Sequence, residues 1–193
     1  MTIKLPKISL KNEVWKAKEK TQNTVKLSGT YFIKNNQLKG EIANKHLGGM
    51  RWLTKSTVRS PIGIKINKNK NVQISLMRPK FNIKPIYVND TVEFDISIEV
   101  EGAVTDMEEN ISLHHLKEKI QGALEKEIRD TYKYALERNI DIYNLEGVIY
   151  RKDLKKWKEV SKEDFSLNEG SIRNIQVDSA INITGDYKYE YMN

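Results

Sequence analysis

Apolar and polar residues alternate strictly from 92 to 101. Val92, Phe94, Ile96, Ile98 and Val100 point one way, and Glu93, Asp95, Ser97, Glu99 and Glu101 the other. Five uninterrupted alternations predict a half-buried antiparallel strand with a wet outer face, and Gly102 marks a bend or bulge near its end. A different period follows. Leu113, Leu116, Ile120, Ala123, Leu124, Ile128, Thr131, Tyr132 and Ala135 recur at steps of three and four, the one-sided stripe of a core-facing helix over about 113–138. Ser112 is placed to cap its first turn, and Arg138 and Asn139 suit its negative end. At about 1.5 Å per residue such a helix is about 39 Å long, so it needs a broad surface against which to bury its stripe.

Weaker patterns supply that surface. Residues 29–34 and 37–42 read as strands joined by Asn35-Asn36, whose tolerance of φ > 0 suits a two-residue hairpin turn. After Asn44 as a cap, Leu47, Met50 and either Trp52 or Leu53 form a short helical face, weak by propensity at Gly48 and Gly49. Residues 57–71 are polar, interrupted by Pro61 and Gly63, with a solvated tip at 67–71. Residues 72–78 alternate until Pro79, which ends the ladder or places it at an edge, and 81–85 continue in extended form. Beyond the long helix, 148–157 reads as one helix with Ile149, Asp153, Leu154 and Trp157 on one face, and 161–171 as a loop. The last strand, 172–184, turns Ile175, Val177, Ile181 and Ile183 inward, and the tail with Tyr187, Tyr189 and Tyr191 reads as loosely held. Residues 1–24 are Lys-rich without clear periodicity, save one helical turn from Val14, Trp15 and Ala17. They read as a linker or the remnant of a preceding domain, which leaves 25–193 as a single domain. Strands around one long helix, without regular βαβα alternation, mean α+β: a mainly antiparallel β-sheet packed against the long helix, with short helices added.

Charge alters this picture more than composition does. The net charge of +7 is unevenly placed. Ile42 to Asn89 holds ten Lys or Arg and no acid, Asp90 to Asn110 eight acids and no base, and the first 41 residues nine bases and three acids. A basic half invites a nucleic acid or an anionic membrane; alternatively the two blocks pair across neighbouring strands. Arg51, Trp52, Arg59, Arg78, Lys80, Phe81 and Lys84 mix charge with aromatics as stacking grooves do, although Trp52, between Met50 and Leu53, also fits a core position. No cysteine is present, which excludes disulfides, thiolate nucleophiles and zinc–thiolate sites.

The remaining chemistry is sparse. His46, His114 and His115 are the three histidines; the adjacent pair points about 100° apart on a helix, so a metal would need His46 to converge on one of them. Glu125 and Glu127 project to different helix faces, which rules them out as a general acid/base pair. Neither a phosphate-binding glycine loop nor a nucleophile elbow occurs. The expectation is a domain that is no enzyme and holds no cofactor or metal.

The order of short features takes the reading further. Gly29-Thr-Tyr-Phe-Ile-Lys and Gln37-Leu-Lys-Gly open the stretch, Gly49-Met-Arg-Trp52-Leu53 follows, and a strand rises to Ile98-Glu-Val-Glu-Gly102. The long helix passes through Ala-Leu-Glu-Lys-Glu-Ile to Asp141-Ile-Tyr-Asn-Leu-Glu-Gly147, then Arg151-Lys152 and Trp157, and the last strand closes on Thr184-Gly185. Over about residues 27 to 186 this resembles the C-terminal domain of the Ger(x)C family, the lipoprotein C subunit of nutrient germinant receptors in endospore-forming bacteria. Asn144 and Glu146 stand where that pattern has two glycines, with Gly147 one place late. Asn suits φ > 0 and Glu does not, so the turn is expected to differ there. The family's signal peptide, lipid-bearing cysteine and N-terminal domains are missing, so the chain reads as an excised fragment.

The resemblance implies a subunit domain that works with membrane-embedded A and B subunits in nutrient-triggered germination, with no nucleic acid as partner. In full-length form it implies a lipid-anchored protein on the outer face of the spore inner membrane, against an anionic membrane surface. In that setting the basic block, with Arg59, Lys65 and Lys80, lies near headgroups or a partner's acidic loops. Asp141 and Trp157 either cap the second helix and fill the core or contact a partner. The alternative function is a basic module binding nucleic acid or an anionic membrane surface.

Overall fold

A computed structural model describes residues 2–13, 22–67, 70–88, 91–107, 111–160 and 166–182. Its strands form two sheets where the sequence pattern suggested one. The smaller sheet joins β1 (Thr2–Glu13), β2 (Gln22–Lys34) and β3 (Gln37–Ala43) in sequential antiparallel order. Asn35 and Asn36 make the β2–β3 turn with φ of 52° and 59°, the left-handed pair whose twist matches that of the strands they join. Within the segment read as linker or remnant, Thr2 to Glu13 pair with β2 along their whole length, so pairing crosses the boundary drawn at residue 25. The period of β1 is masked because strand alternation puts Ile3 and Leu5 on one face and Ile8 and Leu10 on the other. Ser28 is skipped in the register, a bulge that keeps Leu27 opposite Ile8 and Tyr31 opposite Leu5. The helical turn expected at Val14, Trp15 and Ala17 lies outside the described residues.

The larger sheet runs β4 (Arg59–Lys65), β5 (Asn71–Val88), β6 (Thr91–Met107) and β7 (Ile172–Asn182) in that order. β4 replaces part of the polar stretch expected at 57–71. Ser60, Ile62 and Ile64 alternate inward, while Pro61 and Gly63 take the solvent face of an edge strand, where a missing N–H is tolerated. In β6 all five apolar positions of the alternation are buried. Gly102 sits inside β6 for a different reason from a bend: a Cβ there would lie 2.7 Å from Leu76 Cδ2 and 3.1 Å from the Ser75 carbonyl oxygen. The two charge blocks meet across β5 and β6, with Lys80 opposite Glu99 and Lys84 opposite Asp95, neighbours of opposite sign on one face. β7 pairs with β6 in parallel, after a return through the helices.

Between the sheets run two 3-10 turns, Asn44–His46 and Gly48–Leu53. Asn44 caps neither turn: Ala43 and Leu47 hold those positions, and the Asn44 side-chain amide donates to the Leu27 carbonyl of β2. Helix α1 (Leu113–Leu136) buries Leu116, Ile120, Leu124, Ile128, Thr131, Tyr132 and Ala135, while Leu113 is exposed. Each buried Leu or Ile contributes roughly 1.5–3 kcal/mol. Ser112 Oγ accepts from the His115 amide at 3.3 Å, and Arg138 Nη1 donates to the Tyr134 carbonyl at 2.8 Å. α1 also guards the free edge of β7. Gln121 Nε2 donates to the Ile175 carbonyl at 2.8 Å and Arg129 Nη1 to the Ile172 carbonyl at 2.9 Å, so side chains stand where a further strand would bond.

The helix expected at 148–157 is two, α2 (Leu145–Lys152) and α3 (Leu154–Val160). Asp153 breaks the run with φ −152° and accepts from the Lys156 amide at 2.9 Å to start α3. Residues 161–165 of the expected loop, together with Ile183 and the tyrosine tail, lie outside the described residues, and Asn168 caps a single turn at Glu169–Ser171. Among the described residues no helix is long and apolar enough to cross a membrane.

Candidate functional site

After α1 ends at Leu136, the chain turns through 137–144 into α2, and Asp141 organises that corner. It is buried, with Oδ1 accepting from the Leu145 amide at 2.8 Å and Oδ2 from the Glu146 amide at 3.0 Å. Burial pushes its carboxyl above the usual value, against the pull of those two donors and of Lys34. The Lys4 ammonium on β1 is pushed below its usual value by burial, opposed by the charge of Asp141. Asn144 takes φ 55°, the conformation for which the family pattern has glycine. Glu146, read from sequence as a poor stand-in for glycine, lies in the first turn of α2 and pairs with Lys34. Gly147 leaves room for its neighbour, since a Cβ there would meet Asn144 Nδ2 at 2.5 Å. Trp157 is half-buried on α3, its ring edge-on to Tyr150 with centroids 5.1 Å apart.

A second cluster, which no sequence pattern announces, ties the Gly48–Leu53 turn to α1. Glu127 accepts from Arg51 Nη2 at 2.7 Å, from Arg51 Nε at 3.2 Å and from Trp52 Nε1 at 2.7 Å. The Gly49 amide donates to Thr131 Oγ1 at 2.9 Å, and Tyr143 OH donates to the Ile128 carbonyl at 2.9 Å. Burial drives the Tyr143 hydroxyl pKa far up and that of Tyr132 up to about 12. Trp52 is fully buried, with the Arg51 guanidinium over its ring at 4.5 Å. A stacking groove that needs Trp52 at the surface does not assemble, and Lys84 faces Asp95.

The histidines separate as well. His46 stacks on Tyr134 with centroids 3.6 Å apart near the end of α1, whereas His114 and His115 flank Glu118 at its start. Twenty helical residues, about 30 Å, lie between the two groups. Glu125 pairs with Arg129 at 2.8 Å, away from Glu127. Among the described residues no three His, Asp or Glu side chains gather as metal ligands.

Of the basic candidates, Arg59 and Lys80 come closest to sharing a site. Arg59 Nε donates to Ser75 Oγ at 2.5 Å across β4 and β5. Between Met77 and Lys80 the β5 register slips, and Arg78 takes φ 45° while its amide donates to the Val58 carbonyl at 3.1 Å. On one side of this bulge is a depression of about 510 Å³ that includes Lys55, Val58, Arg78 and Lys80. On the other a smaller one, about 170 Å³, adds Glu99, Glu101 and Asp178. Lys65 is at the far end of β4, six residues and about 20 Å from Arg59, and Asp141 and Trp157 belong to the α1–α2 corner and α3. Of the five residues picked from sequence, only Lys80 lines these depressions. Lys55, which no sequence pattern singled out, joins Lys80 because the turn before β4 folds back on the bulge; Arg78-Pro79 was the legible signal.

No curated protein matches the chain. A crystal structure of the GerBC protein superposes with a TM-score of 0.70 at 20% identity, over 95% of this chain. The chain spans 57% of the GerBC chain's length. The family model described as spore germination B3/GerAC like, C-terminal, matches residues 28–185, and the chain belongs to that family.

Proposed function

We propose that this chain is a domain of a germinant-receptor subunit that takes part in nutrient-triggered spore germination by contacting the membrane-embedded A and B subunits, without catalysis. Membership of residues 28–185 in the GerAC-like family carries the reading. The side-chain chemistry is compatible with it. Asp141 is committed to two backbone amides and Glu127 to Arg51 and Trp52, so both act on the fold. Contact with a partner then falls to exposed groups: Arg59, Lys65 and Lys80 on the larger sheet, and the open edge of Trp157. In the full-length protein a lipid anchor holds the domain at the outer face of the spore inner membrane, where basic side chains add to the anchor's attraction for anionic headgroups.

The test is co-purification. A tagged full-length protein is expressed during sporulation, spore membranes are crosslinked and solubilised, and the tag is pulled down. Recovery of the A and B subunits is expected. Recovery of neither, together with normal germination after Arg59→Glu, Lys65→Glu and Lys80→Glu, overturns the assignment.

A further inference from the structure

β5 changes partners at its bulge. From Val72 to Met77 it lies between β4 and β6; from Lys80 to Val88 its strand partner is β6 alone. Arg78 makes the break: its left-handed backbone, which a non-glycine residue adopts only under strain, turns its amide to the last carbonyl before β4. The chain ahead of β4 then veers off through a turn closed by the Thr57 amide on the Thr54 carbonyl at 3.1 Å. In line with β4, where a further stretch of strand would lie, is the depression of about 510 Å³.

Its walls have a consistent chemistry. Val58 is 69% exposed and Phe81 half-buried, so apolar surface faces the groove. Lys55, Arg78 and Lys80 rim it with no carboxylate among the lining residues. Among the described residues none of the three makes an ion pair or a side-chain hydrogen bond. The other edge of β5 shows what such a surface accepts: β6 alternates acidic and apolar residues and sets Glu99 beside Lys80 and Asp95 beside Lys84. We infer that this groove binds an extended acidic segment of a partner protein, laid along β5 in the line of β4, with an apolar side chain against Val58 and Phe81 and carboxylates at Lys55, Arg78 and Lys80. On the receptor-subunit reading that segment belongs to another receptor subunit. Strand addition to an open edge is an established mode of peptide recognition, and alternating charge gives it register.

The probe is a fluorescein-labelled peptide, Glu-Val-Glu-Val-Glu-Val, measured by fluorescence anisotropy against the native chain at low and moderate salt. Binding is expected, weakening with salt. Lys55→Glu with Lys80→Glu should weaken it at least tenfold, whereas Lys26→Glu, on β2 of the smaller sheet, should leave it within twofold. All three positions are exposed, and circular dichroism confirms that each variant is folded. The inference is overturned if the peptide Lys-Val-Lys-Val-Lys-Val binds as well, if the double reversal has no effect, or if phosphatidylglycerol vesicles bind through the same lysines while the acidic peptide does not. The assay needs no receptor, so its failure leaves subunit co-purification untouched, and failed co-purification leaves the groove untouched.

Discussion

Replacing Gly49 by alanine probes how the Gly48–Leu53 turn is held against α1. A Cβ at that position would lie 2.5 Å from the Glu127 carbonyl oxygen, 2.6 Å from Ile128 Cα and 2.7 Å from Tyr143 OH. Two of these atoms are helix backbone and cannot swing aside, so the turn must lift. Forced displacement in a packed interior costs about 1–3 kcal/mol. Lifting also parts the Gly49 amide from Thr131 Oγ1, a loss of about 1 kcal/mol. A total near 3 kcal/mol lowers Tm by about 6–12 °C in a chain of this size. The neighbouring residue supplies the control. A Cβ on Gly48 comes no nearer than 3.7 Å, to Glu127 Oε2, and Gly48→Ala should hold or raise stability by up to about 1 kcal/mol through the unfolded chain. Urea and thermal denaturation followed by circular dichroism give both values. Equal effects at the two positions, or a Gly49→Ala protein within about 0.5 kcal/mol of the parent, would refute the close approach.

Glu127→Ala strips the buried Trp52 Nε1 of its acceptor and leaves Arg51 only the Pro61 carbonyl, and should cost about 2–3 kcal/mol, with an altered tryptophan emission spectrum as the second readout. Asp141 has a pKa raised in the fold by burial, so the stability tied to its neutral form is present below about pH 4 and is lost as pH rises through the raised value. Asp141→Asn should flatten that decline in urea midpoints measured between pH 3 and 7. Leu10 is 71% exposed whereas Phe32 is fully buried. Leu10→Ser should therefore cost less than about 1 kcal/mol and Phe32→Ala about 3–5 kcal/mol, and similar losses at the two sites would contradict the burial assigned to β1 and β2.

The elements legible from sequence are those whose pattern is local and unbroken. The alternation in β6 and the stripe of α1 each come from one period, and Ser112, Asn35 and Asn36 act on backbone within a few residues of themselves. β1 stayed hidden because its apolar pairs change face at Ile8, and only the bulge at Ser28 in a partner strand reconciles them. β4 stayed hidden behind Pro61 and Gly63, residues that are harmless on an outer face but read as breakers. The helix over 148–157 divides at Asp153, whose side chain is a better cap for α3 than a member of a continuous helix. The Glu127 cluster joins residues 75 and more positions apart, a distance over which no period carries information. Likewise Lys80 was visible as a charge, but the groove it borders depends on where β4 stops.

The parallel pairing of β6 with β7 bears on the order in which the molecule can assemble. β5 ends at Val88 and β6 begins at Thr91, whereas β6 ends at Met107 and β7 begins at Ile172. Closing the longer loop costs roughly 3 kcal/mol more chain entropy than closing the short one, and beyond the ladder with β6 the bonds β7 takes from Gln121 and Arg129 require α1 to have formed. Hairpins and helix can thus mature on local contacts, while β7 docks last and sets the pace. Until then the edge of β6 stands open with a row of unpaired amides, so a newly made chain is most prone to mispair with other chains in the interval before its final strand arrives.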